Sequence, residues 1–313
     1  MIFRVLGPLS VEDGGRCRTP TAAKQRQVLA LLLLKANSVV PLPQFVEELW
    51  EEAPPARAIA ALHTYVMQLR KALEQLRLPD GSGGRLLTRK GGYELVVNPG
   101  ELDLDVFEHR ARAALAVPDT AMRAHGLREA LRLWSAPALV DVVAGPILRA
   151  AITVLQRKRL DAISHRIDAD LALGRHHDLI GELTALVHHH RTHEEFTAQL
   201  MLALYRSGRQ VDALAAFHQL RKAVAEDSGG ALSRRLHEFY TNILSADATL
   251  DPPSSTRSRL SLDMVGALGG PGRAHRPGPP PDLFTGSPRR AGASAARSGC
   301  AGPFRWESRE VRA

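Results

Sequence analysis

Cysteine is nearly missing from this chain: its 313 residues hold only Cys17 and Cys300, too few and too far apart for a disulfide framework or a thiolate metal cluster. A reducing compartment follows as the simple inference, with the cytoplasm as the expected location. Aromatic residues are scarce at 5%, so any core must be built from Leu, Ala, Val and Ile, a mix that favours helices. The longest apolar run, Val28 to Leu34, falls far short of the roughly 20 residues that cross a bilayer. The N-terminus also lacks the charged-then-apolar pattern of a secretion signal. Motifs of nucleotide binding and nucleophilic catalysis are missing too: there is no G-x-x-x-x-G-K-[ST], no G-x-G-x-x-G after a strand, no H-E-x-x-H and no G-x-S-x-G. The sequence offers no catalytic residue, and no cofactor is expected.

What is present begins with charge. The net charge is +8 and it is unevenly placed. Residues 1–98 carry 13 Lys and Arg against 9 Asp and Glu, residues 99–250 carry 18 against 19, and residues 251–313 carry 10 against 5. From Arg57 to Tyr93 seven basic residues face only Glu74 and Asp80, a local excess suited to a polyanion.

The first 18 residues alternate apolar and polar positions around Gly7-Pro8 and Gly14-Gly15, as short antiparallel strands do. Thr19-Pro20 reads as the N-cap and first-turn proline of a helix through AAKQRQVLALLLLKA, stopping near Asn37-Ser38. A second helix fits Leu42 to Trp50, and Pro54-Pro55 breaks it off. A third begins near Ala56, with a buried stripe of Ile59, Leu62, Val66, Leu69, Leu73 and Leu76. The segment LLTRKGGYELVV then reads as a hairpin with basic residues at a glycine turn.

From Glu101 to about Asp247 the pattern is helical almost throughout, with breaks at Pro118-Asp119, Pro137, Gly145-Pro146, Gly174, Gly208 and Gly229-Gly230. Gly174-Arg175 and Gly208-Arg209 lie 34 residues apart, and their flanks align: Leu171 with Tyr205, Leu179 with Ala213, Leu183 with Phe217, Leu186 with Leu220. Thirty-four is the tetratricopeptide period. The expected organisation is an α+β domain over 1–98, a tetratricopeptide-like helical domain over 101–248 and a disordered Pro/Gly/Arg-rich tail over 251–313.

Projected at about 100 degrees per residue, the third helix turns Arg57, Ala60, Thr64, Met67, Gln68, Lys71 and Gln75 away from its leucines, with His63 and Arg70 on the shoulders. Lys and Arg can reach guanine acceptors, Gln can pair with adenine, and Ala60 or Thr64 can meet a thymine methyl. Taken alone, such a face fits an ordinary solvated helix. The hairpin alters the balance by adding Arg89 and Lys90 beside it, where a wing crosses the minor groove or backbone. Lys24 and Arg26 at the start of the first helix are candidate phosphate contacts.

Four segments, VLGPLSV, KQRQVLALLLLKAN, ALHTYVMQLRKALE and LLTRKGGYELVV, resemble the OmpR-type winged helix of the Streptomyces antibiotic regulatory protein family. ELDLDVFE, EALRLWSAPAL, RIDADLALGRHHDLIGELTALV and LMLALYRSGRQVDALAAFHQLRK resemble the bacterial transcriptional activation domain that follows it, so the resemblance covers residues 1 to about 250. It implies an α+β winged helix-turn-helix joined to an all-α domain. It also implies an activator of secondary-metabolite gene clusters that binds direct repeats in double-stranded DNA, self-associates there and engages RNA polymerase. Carried onto matching positions, DNA contacts fall at Lys24, Arg26, Thr64, Gln68, Arg70, Lys71 and Arg89, and polymerase contact near Glu51, Glu52 and Pro54. The sequence departs from the family pattern at Lys90, where a glycine is usual, and at AEDSGGAL near residue 228.

His176-His177, His188-His189-His190 and His193 have no carboxylate or cysteine at a convincing ligand spacing, so solvated histidines are expected rather than a metal site. A different reading of the whole chain is a repeat scaffold or ligand sensor without specific DNA readout.

Overall fold

The computed structural model describes residues 1–14, 16–17, 19–74 and 85–251. The expectations for Gln75, Leu76 and the turn at Pro79-Asp80-Gly81, and for the tail beyond Asp251, lie outside these residues. Strands β1 (Ile2–Arg4), β2 (Ser10–Asp13) and β3 (Arg16–Cys17) form an antiparallel sheet in the order β1-β2-β3. Helix α1 (Ala23–Leu34) follows, then β4 (Val40–Pro41), α2 (Leu42–Trp50), α3 (Ala58–Glu74), β5 (Arg85–Arg89) and β6 (Gly92–Val96). The second sheet runs β4-β6-β5, with Thr88 opposite Tyr93 and Arg89 opposite Gly92.

Every residue of α1 from Gln27 to Leu33 is buried. A helix apolar all round must be enclosed on all sides, and α1 packs against α2, α3, β6 and α6 (Pro146–Ala172). Its start differs from expectation: Ala22 stands at the N-cap with no side-chain bond, while the Thr19 hydroxyl accepts the Val11 N–H at 3.0 Å. Thr19 is drawn to the sheet, so it cannot cap the helix. Asn37 ends the helical turn at φ 61°, a conformation that asparagine tolerates better than most residues. Its side chain also exchanges two hydrogen bonds with the Val97 backbone, at 2.9 and 3.1 Å.

The remaining helices are α4 (Asp103–Ala116), α5 (Thr120–Leu131), α6, α7 (His176–His189), α8 (Glu194–Arg206), α9 (Gln210–Ser228) and α10 (Arg234–Leu244). The 34-residue period is visible in the backbone. Gly174 and Gly208 take φ of 77° and 75°, and each is followed by an arginine whose N–H reaches back five residues, Arg175 to the Asp170 carbonyl and Arg209 to the Leu204 carbonyl. This is the left-handed glycine ending that turns one helix sharply into the next. The paired positions Leu171, Leu179 and Leu183, and Ala213, Phe217 and Leu220, all enter one core. At the departure near residue 228, Gly229 ends α9 in the left-handed conformation, and Ser233 caps α10.

Two apolar cores are present. The first gathers residues from Phe3 to Ala162, drawing on both sheets and α1 to α6; the second runs from Ile167 to Leu250. The change of core falls inside α6, which at 27 residues is about 40 Å long. Three acidic side chains stitch the N-terminal 98 residues to the helices that follow. Asp103 accepts the Val5 N–H at 2.9 Å and the Leu6 N–H at 3.0 Å. Asp141 accepts the Leu9 N–H at 2.8 Å and pairs with Arg26. Glu48, 1% exposed, accepts the N–H groups of Gly145, Ile147 and Leu148 at 2.6, 2.9 and 2.9 Å. A carboxylate here meets both the free amides and the positive end of the α6 dipole. Gly145 is required at this point, because a Cβ would lie 2.1 Å from the Glu48 carbonyl oxygen.

Candidate nucleic-acid interface

Helix α3 buries Leu62, Val66, Leu69 and Leu73, all at 4% exposure or less. The opposite side presents Arg57, Ala60, His63, Thr64, Met67, Gln68 and Lys71 to solvent. Ile59 departs from the expected stripe and is exposed. It sits in the first turn, beside the loop of Pro54 and Pro55, where a shallow open groove also takes in Val46 and His63.

The wing is tied to this helix by Arg70. Its guanidinium donates to the Leu86 carbonyl and to the Thr88 hydroxyl, both at 3.1 Å. Two bonds from one planar fork fix the approach of β5 to α3. Gly91 turns the hairpin at φ 79°, and Gly92 lies so close to β4 that a Cβ would meet the Val40 carbonyl oxygen at 2.1 Å. Lys90 therefore occupies a tip whose turn geometry is supplied by the glycine after it. Arg89 is exposed at the wing and pairs with Glu94 at 2.5 Å. Tyr93 packs edge-on against His63 at 6.3 Å and Phe45 at 6.0 Å, and burial raises its hydroxyl pKa against the opposing pull of the Arg70 charge.

The structure thus brings together His63, Thr64, Gln68, Arg70 and Lys71 on α3 with Arg89 and Lys90 at the wing. Arg57, Lys71 and Lys90 make no ion pair among the described residues. Two expected contacts are engaged elsewhere. Lys24 is half-buried, donates to the Leu49 carbonyl and stands 6.0 Å from the centre of the Trp50 ring. Arg26 donates to the Pro20 carbonyl at 3.1 Å and pairs with Asp141. Glu51 and Glu52 are exposed with Pro54 in the loop between α2 and α3, and Glu51 meets Arg149 of α6 at 3.0 Å.

One residue escaped the sequence reading. Gln25, between Lys24 and Arg26, donates its amide to the Oε1 of Gln68 across α1 and α3. The signal available was its place in the KQRQ segment, but that it faces α3 depends on a helix crossing that no local pattern encodes.

A family described as "Transcriptional regulatory protein, C terminal" matches residues 18–94, and one described as "Bacterial transcriptional activator domain" matches residues 102–244. The chain is 40% identical over 257 residues to the regulatory protein DnrI of Streptomyces peucetius, covering 80% of this chain and 94% of that protein. It is 35% identical over 261 residues to the transcriptional regulator RedD of Streptomyces coelicolor, covering 81% and 73%. With the regulatory protein AfsR of Streptomyces coelicolor the identity is 36% over 252 residues, covering 79% of this chain but 24% of that much longer protein. Among solved structures, Mycobacterium tuberculosis EmbR, in complex with a low affinity phosphopeptide, superposes with a TM-score of 0.72 at 32% identity, covering 80% of this chain and 66% of that one.

Proposed function

Because this chain belongs to the Streptomyces antibiotic regulatory protein family of transcriptional activators, we propose that it switches on secondary-metabolite genes by binding direct repeats near their promoters and engaging RNA polymerase. The observation that carries this reading is the exposed row of Thr64, Gln68 and Lys71 on a helix whose leucines are buried, set beside a wing bearing Arg89 and Lys90. Such a helix enters the major groove while the wing follows the adjacent backbone.

In this arrangement Gln68 and Lys71 read base edges and Thr64 contacts a neighbouring base or its methyl group. Arg89, Lys90, Arg57 and His63 contribute to the backbone contacts. Arg70 holds the wing in register, and Lys24 and Arg26 support the first helix from behind through the partners already described. The exposed loop of Glu51, Glu52 and Pro54 between α2 and α3 is the surface offered to polymerase. Two copies on successive repeats about one helical turn apart then associate along the DNA.

The experiment is a titration of direct-repeat and random duplexes at several salt concentrations. Gln68→Ala or Lys71→Ala is expected to cost roughly 1–3 kcal/mol on the repeat and to change base preference. Arg89→Ala is expected to weaken both duplexes alike and to flatten the salt dependence. Equal affinity for every duplex in the parent protein would overturn specific readout.

A further inference from the structure

Gln25 lies in the first turn of α1, and its amide nitrogen donates to the Oε1 of Gln68 on α3. The two helices pack directly against each other. Helix α1 is anchored by the unbroken buried run that begins two residues on, at Gln27, so the donor is carried by a fixed element. Gln68, by contrast, stands exposed in the outward row of α3.

A glutamine amide is a donor at one end and an acceptor at the other, and the end that faces a base decides what it reads. Gln68 has its oxygen toward α1, so its NH2 group is the end left for a ligand. The start of α1 supports the same sense. Gln25 is the third residue of that helix, close to its free backbone N–H groups, and Ala22 at the N-cap gives them no side-chain acceptor. These amides and the positive end of the helix dipole favour the Gln25 oxygen turned toward them and its nitrogen toward α3. In water an exposed amide pair competes with solvent and is weak. A docked duplex excludes that water and leaves an amide oxygen without a donor at a disadvantage, so the bond from Gln25 matters most in the complex. Lys71, one turn further along α3, offers donors only.

We infer that Gln25 is a positioning residue that sets the sense of the Gln68 amide, so that Gln68 presents its NH2 group and selects a base edge bearing an acceptor. Guanine, with N7 and O6, and thymine, with O4, meet that need. Cytosine offers only its N4 donor, and adenine is best read by an amide that donates and accepts at once. The inference rests on the DNA-reading function proposed above and adds which bases α3 takes at this point.

The test uses the full chain and a pool of direct-repeat duplexes randomised within the repeats, with the bound fraction sequenced. The position that Gln68 reads is the one whose preference disappears in Gln68→Ala. There the parent is expected to favour guanine or thymine over cytosine by about tenfold. Gln25→Glu can only accept, so it draws the Gln68 nitrogen toward α1 and turns the oxygen outward, and the preference is expected to move to cytosine or adenine, the bases with an exocyclic donor. Gln25→Met removes the hold and is expected to flatten the preference. Neither change should alter base preference further in a Gln68→Ala background. A purely structural role for Gln25 would instead lower the melting temperature and weaken binding at all repeat positions alike. A parent preference for adenine or cytosine at this position, a Gln68→Ala variant with unchanged preferences, or a preference that survives Gln25→Glu would each overturn the inference while leaving specific binding intact. A parent that binds every duplex alike would remove the DNA reading itself and this inference with it.

Discussion

Replacing Glu48 by alanine tests whether the DNA reader and the helices that follow it fold as one unit. The carboxylate is the acceptor for three backbone N–H groups at the head of α6, at 2.6 to 2.9 Å, and for the Gln27 amide at 3.0 Å. Alanine removes all of these acceptors at once. Each buried donor left without a partner costs roughly 1–3 kcal/mol, and the lost charge at a helix N-terminus adds about 0.3–1 kcal/mol. Ile147 is only half-buried, so water replaces part of what is lost, and the expected destabilisation is about 3–5 kcal/mol. That is a large share of the roughly 5–15 kcal/mol by which domains are stable. Glu48→Gln is the finer probe, because it keeps the volume and one acceptor oxygen but turns an NH2 group toward other donors; about 2 kcal/mol is expected. Urea unfolding followed in parallel by tryptophan fluorescence and far-ultraviolet circular dichroism measures both. The midpoint should fall, and in the alanine variant the two signals should separate, because Trp50 and Trp134 report on the first core while circular dichroism also registers α7 to α10 in the second. If both variants stayed within about 1 kcal/mol of the parent, with coincident transitions, the carboxylate would not be what holds the seam.

Other perturbations give equally direct outcomes. Arg70→Met should cut DNA affinity for all sequences and raise hydrogen exchange at Thr88 to Gly91, with Arg70→Lys restoring little, because lysine cannot offer two donors from one plane. Gly92→Ala should lower stability by about 1–3 kcal/mol through the clash with Val40, measured by thermal melting, whereas Gly208→Ala, in open space at φ 75°, should cost about 1–2 kcal/mol from backbone strain alone. Burial, assisted by the charge of His190, holds the His193 pKa below its ordinary 6.5, in keeping with Nδ1 accepting the Phe196 N–H at the head of α8. The unfolded chain then takes up a proton near 6.5 while the folded protein resists, so this stability is complete above pH 6.5 and is lost as pH falls toward the folded value. His193→Asn keeps an acceptor at the cap and should flatten the decline in unfolding midpoint between pH 7 and 5, leaving the share due to His176, which is shifted the same way.

Local patterns carried much of the fold. Helix α2 spans Leu42–Trp50 as its flanking prolines imply, and the 34-residue period survives because two glycines must adopt positive φ at equivalent places. The exposed row on α3 was legible because a regular helix converts spacing into direction. What failed depended on neighbours. Ile59 has the right spacing for the buried stripe but lies in the first turn, where nothing covers it. Strand β4 has two residues, too few to show alternation. That Lys24 and Arg26 have partners in Leu49 and Asp141 is likewise invisible until the fold brings them together. Nothing in the local sequence marks Glu48 and Asp103, since their partners are about a hundred residues away. Burial also pushes the Asp103 pKa upward against the pull of the amides it accepts, a tension that only the folded neighbourhood creates.

Helix α6 is rooted in one core and ends in the other, so any cut near residue 100 would strip Leu148 and Leu155 from the hydrophobic interior of the winged helix. A recombination event that transplanted only the first hundred residues would deliver a reader lacking part of its own foundation. The two halves therefore stand or fall as a pair, and the stretch of likeness to the much longer AfsR, 252 residues, takes in 79% of this chain.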